Sequence, residues 1–139
     1  MVYVLDCSGT MGLDGRLARA RAALLATLAA LPDGARVQVV TYTGRAAPLV
    51  PGGLVPLTDR TRAGIAAALA KLDPAGASRH VEGLRTALLL EPDAVLLLTD
   101  TGADELAGLA PLVRGARKPA AVSVARVTAA GVLSPAGLP

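Results

Sequence analysis

Short apolar runs and longer amphipathic stretches alternate along the chain. VYVL at 2–5 is continuously apolar, as a strand covered on both faces would be. Leu17, Leu24, Leu28 and Leu31 then recur at helical spacing, with Arg16 and Arg19 off the stripe. Asp14 is placed to cap that helix, and Pro32, Asp33 and Gly34 stop it. VQVVTY at 37–42 is β-branched and predicts a second strand. The segment 47–57 carries three prolines and two glycines, which predicts a short edge strand and a loop.

Thr58 can cap the next helix, with Ile65, Leu69 and Leu72 as its buried stripe. DPAGAS at 73–78 breaks it, and a further helix is predicted from near Arg79, with Val81, Leu84 and Leu88 inward. AVLLLT at 94–99 is a third buried strand, ending in Asp100. Leu106, Leu109 and Val113 predict a helix within 103–116, in whose first turn Asp104 and Glu105 suit the helix dipole. AAVSVARV at 120–127 reads as a last strand, and 128–139 as loop or frayed end. Alternating helices and uniformly apolar strands define an α/β fold, doubly wound, with a mainly parallel sheet and helices on both faces. The boundaries expected are one domain over 1–127 and a tail over 128–139.

Composition agrees with a packed domain. The 139 residues are 53% hydrophobic and 18% charged, enough apolar material for a core. Trp and Phe are absent, so the core must be Leu, Val and Ala, with little material for an aromatic cage or base-stacking platform. The net charge of +3 is mild, and the arginines are scattered through helices rather than gathered in a stripe, which argues against a nucleic-acid surface. The single cysteine, Cys7, excludes an intrachain disulfide and is compatible with a reducing compartment. No apolar run approaches the ~20 residues needed to cross a bilayer, and no signal peptide is visible, so no direct membrane insertion is expected. These features slightly favour the cytoplasm but leave the compartment open. Met1 stands directly against the first strand, an abrupt start that suggests a fragment of a larger protein.

In open parallel sheets, ligands bind beyond the carboxyl ends of the strands, where Asp6 and Asp100 both fall. Asp6, Ser8 and Thr10 alternate, so a chain leaving a strand would aim three oxygens to one side, and Gly9 permits a tight turn. Hard divalent cations take several oxygen ligands, and two carboxylates would balance one such ion. Turn chemistry alone also accounts for Asp, Ser and Gly here, with Asp100 at a helix-entry turn and Ser78 as an N-cap. Cys7 lacks the orienting partners of a nucleophile beyond His80 and suits a small buried position. His80 and Arg79 are expected as solvated residues at a helix start, or, for Arg79, as a contact for an acidic partner.

VYVLDCSGTM resembles the metal-ion-dependent adhesion site of von Willebrand factor type A domains, the group that includes integrin inserted domains. The family pattern is Asp-x-Ser-x-Ser, then a threonine from a second loop and an aspartate from a third. Here the first cluster is Asp6-Cys7-Ser8-Gly9-Thr10, LLLTD at 96–100 ends in Asp100, and GASRHVEGL at 76–84 puts Ser78 in the threonine's place. The resemblance runs from residue 2 to about 127 and lacks the family's usual final strand and C-terminal helix. It implies a Mg²⁺ ion, or Mn²⁺ or Ca²⁺, held by Ser8 and Thr10 directly, by Ser78 directly or through water, and by Asp6 and Asp100 largely through water. It further implies a non-catalytic module whose partner protein presents an Asp or Glu. Two rivals stand beside it. The strand followed by D-x-x-G-T also looks like the nucleophile loop of haloacid-dehalogenase-type phosphatases, with Asp6 as nucleophile, although Ser8 replaces their second aspartate and neither Lys71 nor Lys118 precedes an acidic pair. The other rival is a fold that has lost its metal.

Overall fold

The computed structural model describes residues 1–138. Its elements run β1 (Val2–Asp6), a 3₁₀ turn (Gly9–Gly15), α1 (Arg16–Ala30), β2 (Arg36–Tyr42), β3 (Ala46–Pro48), β4 (Val55–Pro56), α2 (Asp59–Ala70), α3 (His80–Leu88), β5 (Ala94–Thr99), a 3₁₀ turn (Ala107–Leu109), α4 (Ala110–Arg114), β6 (Ala121–Arg126) and β7 (Ala136–Gly137). The sheet is ordered β3-β2-β1-β5-β6-β7, with β4 also paired to β2. The four long strands β2, β1, β5 and β6 are parallel, and the short strands at the rims are antiparallel. The chain winds from β1 outward to β2, then crosses back to place β5 on the other side of β1. The carboxyl ends of β1 and β5 therefore flank the point where the winding reverses, which is where such sheets open a crevice.

Alternation along the strands divides two cores. Tyr3 and Leu5 of β1, with Val37 and Val39 of β2, pack against Leu17, Leu24 and Leu28 of α1 and Ile65 and Leu69 of α2. Val2 and Val4, with Val40 and Tyr42, pack against Leu84, Ala87 and Leu88 of α3 and against Leu109. Each such Leu or Ile taken from water contributes about 1.5–3 kcal/mol, so both helical layers are held mainly by aliphatic burial. Thr58 caps α2 as its position predicts, its side chain accepting from Thr61 N at 3.1 Å.

Several local expectations are corrected. Asp14 does not cap α1: it adopts φ +52, Gly15 is the cap residue, and no side chain bonds the first turn. Val81 is 43% exposed rather than inward. Gly83 faces the sheet instead, and a Cβ there would lie 2.5 Å from the Tyr42 ring, so the missing side chain lets α3 seat closely. The helix expected over 103–116 shrinks to Ala107–Arg114, the 3₁₀ turn running into α4. Asp104 and Glu105 precede it, Glu105 accepting from Gly102 N at 3.3 Å. The tail expected to be loop turns back on the sheet: Val127 bridges Val132, and β7 pairs with β6 at Ser123 and Val124. Pro139, the last residue of that tail, lies outside the described residues. Among the described residues no helix is long and apolar enough to cross a membrane.

Candidate functional site

β1 delivers Asp6 to the winding reversal fully buried. Its Oδ1 accepts from Ser8 N at 2.9 Å, which turns the chain sharply after the strand. Its Oδ2 accepts from the Thr99 hydroxyl at 2.7 Å. Met11 N then bonds Ser8 O at 3.0 Å, and the buried Met11 side chain anchors the loop.

The second loop is stapled to the first by backbone. Ala75 N donates to Cys7 O at 2.9 Å, and Gly9 N donates to Gly76 O at 3.0 Å. Gly76 reaches this position with φ +70, open to glycine without strain. These two bonds bring Ser78, 70 residues distant in sequence, to Ser8: the Ser78 hydroxyl donates to Ser8 Oγ at 2.8 Å and is 3.5 Å from Asp6 Oδ2. Ser8 Oγ lies 3.2 Å from Thr10 Oγ1. Asp6, Ser8, Thr10 and Ser78 thus form one oxygen cluster. Burial is graded across it: Asp6 and Ser8 are buried, Ser78 is half-buried and Thr10 is exposed, so the cluster opens to solvent on one side.

None of these residues is spent on helix capping. Ser8 precedes the 3₁₀ turn without a side-chain cap bond, and the residue capping α3 is Arg79, not Ser78. Asp100 stands apart from the cluster's hydrogen bonds. Its Oδ2 pairs with Arg16 Nη1 at 2.9 Å, and its side chain is 13% exposed. Its backbone is fixed by Arg126 Nε, which donates to Asp100 O at 3.1 Å.

Two participants escape the sequence pattern. Thr99 ends β5 opposite Asp6, one step beyond the Leu5–Leu98 pair, a position that follows once β1 and β5 are known to be parallel neighbours. Arg16 gave no signal beyond being a basic residue off an apolar stripe. His80, expected to be solvated, instead bridges beneath the site. Its Nδ1 is 2.6 Å from the Tyr42 hydroxyl and its Nε2 is 3.4 Å from Thr101 Oγ1. Burial, reinforced by Asp6, pushes the Tyr42 hydroxyl well above its usual range, so it keeps its proton and shares a hydrogen bond with Nδ1. Burial also lowers the His80 pKa, against the opposing pull of Asp6, Asp100 and Glu105. Cys7 is buried, with its thiol pushed up to about 12 by burial and then by Asp6. A neutral thiol does not attack, so Cys7 fills space as its sequence context suggested.

The cluster's geometry can be compared with the demands of a cation. Neighbouring ligands on an octahedral ion with ~2.1 Å bonds are about 3.0 Å apart. The spacings of 2.8 Å from Ser8 to Ser78 and 3.2 Å from Ser8 to Thr10 bracket that edge. The donor set suits a hard divalent ion in type, and its two spacings, which are also those of hydrogen-bonded hydroxyls, are compatible with one. Among the described residues no group of three or more His, Cys, Asp or Glu side chains could hold a metal ion, so any cation here would depend on hydroxyl oxygens.

The architecture and this edge define a class: doubly wound α/β domains whose loops gather oxygen side chains at the winding reversal. The profile of the von Willebrand factor type A domain matches residues 1–103, and the chain belongs to that family. Solved structures agree on the fold. A von Willebrand factor type A protein from Catenulispora acidiphila superposes with a TM-score of 0.68 at 24% identity, over 88% of this chain and 31% of that one. The conserved hypothetical protein BatB from Bacteroides thetaiotaomicron gives 0.65 at 20% identity, over 88% and 63%. The type V pili tip protein Mfa5 from Porphyromonas gingivalis gives 0.59 at 22% identity, over 71% and 19%. The chain therefore spans less than two thirds of each of these proteins. No curated protein matches it significantly. Domains of this family typically act as protein-interaction modules. The phosphatase reading of Asp6 finds no support: the family match lies elsewhere, and Ser8, where an acid would be needed, is engaged with Ser78 and Thr10.

Proposed function

We propose that this domain is a non-catalytic, divalent-cation-dependent protein-binding module with a metal-ion-dependent adhesion site. Ser8 and Thr10 would be direct oxygen donors, Ser78 would bind directly or through water, and Asp6 and Asp100 would supply negative charge, largely through water. Mg²⁺ is the expected ion, with Mn²⁺ or Ca²⁺ as substitutes. With uncharged direct ligands such an ion stays electrophilic and offers a position to a carboxylate. The partner is therefore a protein presenting an Asp or Glu, and exposed Arg79 beside Ser78 suits an acidic approach.

The observation that supports this reading is the hydroxyl trio beside Asp6, with Ser8 Oγ 3.2 Å from Thr10 Oγ1 and 2.8 Å from Ser78 Oγ, open to solvent at Thr10. A second reading, a fold retained without metal, is favoured by one contact, the hold of Arg16 on Asp100. A Mn²⁺ titration followed by electron paramagnetic resonance decides between them. One bound ion is expected in the wild type, lost in Asp6→Ala and in Ser8→Ala. Absence of uptake, or uptake indifferent to Asp6→Ala, rejects the cation site. For the partner, a peptide array bearing single Glu or Asp residues should capture the domain in Mg²⁺ and release it in EDTA.

A further inference from the structure

Arg16 is the first residue of α1, and the two residues before it are both left-handed, Asp14 at φ +52 and Gly15 at φ +69. That turn sets the guanidinium between two carboxylates. Nη1 is 2.9 Å from Asp100 Oδ2, and Nη2 is 3.5 Å from Asp14 Oδ2. The two contacts are unequal. The Asp100 pair is short and largely shielded, with side chains 25% and 13% exposed, whereas the Asp14 carboxylate is 60% exposed. Shielding strengthens the first attraction, and water screens the second. Arginine cannot shed its proton in a protein, so its charge is permanent.

Asp100 therefore already has a counter-charge. Of the two carboxylates proposed for the ion, Asp100 is already matched by Arg16, and only Asp6 stands without an ion-pair partner among the described residues. A cation drawing on Asp100 must first weaken a shielded ion pair.

We propose that Arg16 is a tethered competitor for the cation. It holds Asp100 when no ion is bound and gives it up, falling back on Asp14, when one is. The proposal rests on the cation-binding reading above. Its consequence is antagonism: the stronger the Arg16–Asp100 pair, the weaker the affinity for the ion, and the more self-sufficient the ion-free domain.

The test is a calorimetric Mn²⁺ titration of the wild type, Arg16→Gln and Asp6→Ala, with thermal unfolding in EDTA alongside. Arg16→Gln is expected to bind Mn²⁺ about tenfold more tightly, the scale of one partly screened charge pair, and to unfold earlier in EDTA. Wild-type binding that disappears in Asp6→Ala but is equal or weaker in Arg16→Gln overturns the competitor while leaving the cation site standing. Failure of wild type and Arg16→Gln alike to take Mn²⁺ removes the cation site and the competitor with it. Uptake by Arg16→Gln alone supports the competitor in its strongest form. A measurement that needs no variant is a Mg²⁺ titration of the wild type read on arginine Nε–H signals by NMR. The Arg16 signal should shift in step with binding, and a signal unmoved at saturation overturns the proposal.

Discussion

The hydroxyl of Thr99 donates to Asp6 Oδ2 across 2.7 Å, tying together the ends of two neighbouring parallel strands. Both residues are fully buried, so no water replaces the bond if it is lost. Thr99→Val keeps the shape and deletes the donor. A hydrogen bond to a charged group contributes about 1.5–3 kcal/mol, and a loss of that order is expected in urea unfolding with EDTA present. Thr99→Ser should recover most of it. Wild-type stability in Thr99→Val would show that the bond is not holding the site together.

Gly83 offers a test of how closely α3 lies on the sheet. Alanine is favoured over glycine inside a helix by ~1 kcal/mol. Here its Cβ would meet the ring of Tyr42 at 2.5 Å, a collision with a buried side chain. Overpacking of this kind costs about 1–3 kcal/mol, and the net expectation for Gly83→Ala is a lower melting temperature. Adding Tyr42→Leu should make the alanine tolerated, and a stabilised Gly83→Ala single variant would contradict the packing described.

Cys7 should be silent toward thiol reagents. With its thiol pushed up to about 12, it stays protonated at ordinary pH, and its burial denies access. Native protein mixed with a chromogenic disulfide at pH 8 should show almost no release, and protein unfolded in guanidinium one equivalent. Fast labelling of the native state would mean that the first loop opens readily.

His80 should make the domain sensitive to acid. Burial lowers its pKa in the folded state, while in the unfolded chain it returns to ~6.5. Below that value the unfolded state binds the extra proton more readily, so this stabilising contribution is complete above about 6.5 and is lost as pH falls through the folded value. Tyr42 and Thr101 face the ring directly, and Asp6, Asp100 and Glu105 act on it through their charge. Melting temperatures between pH 7 and 5 should fall less steeply in His80→Gln than in the wild type. Parallel curves would exclude a role for this ring.

The apolar runs at 2–5, 37–42, 94–99 and 120–127 were readable because parallel strands covered on both faces need no polar alternation. That placed Asp6 and Asp100 at one edge. The oxygen cluster was partly legible, since D-x-S-x-T announces its own alternation. Ser78 was reachable only by resemblance, because its position depends on backbone bonds between Ala75 and Cys7 and between Gly9 and Gly76, which side-chain patterns do not encode. Arg16 was invisible for a similar reason: its partner is 84 residues away, on a loop whose distance from α1 emerges only from the winding. Asp14 misled because the residue type that favours caps also tolerates the left-handed backbone found there. Val81 misled because Gly83, which carries no hydrophobic signal, took the inward position.

The three short strands have a consequence beyond completing the sheet. A long bare rim of a sheet is a template on which another chain can add a strand. At one rim, β3 and β4 run to three and two residues and each ends in a proline, which has no amide hydrogen to offer. At the other, β7 shields Ser123 and Val124 of β6 with two residues of its own. Lateral growth by strand addition, the route by which copies of a domain join along their sheets, is thereby discouraged on both sides.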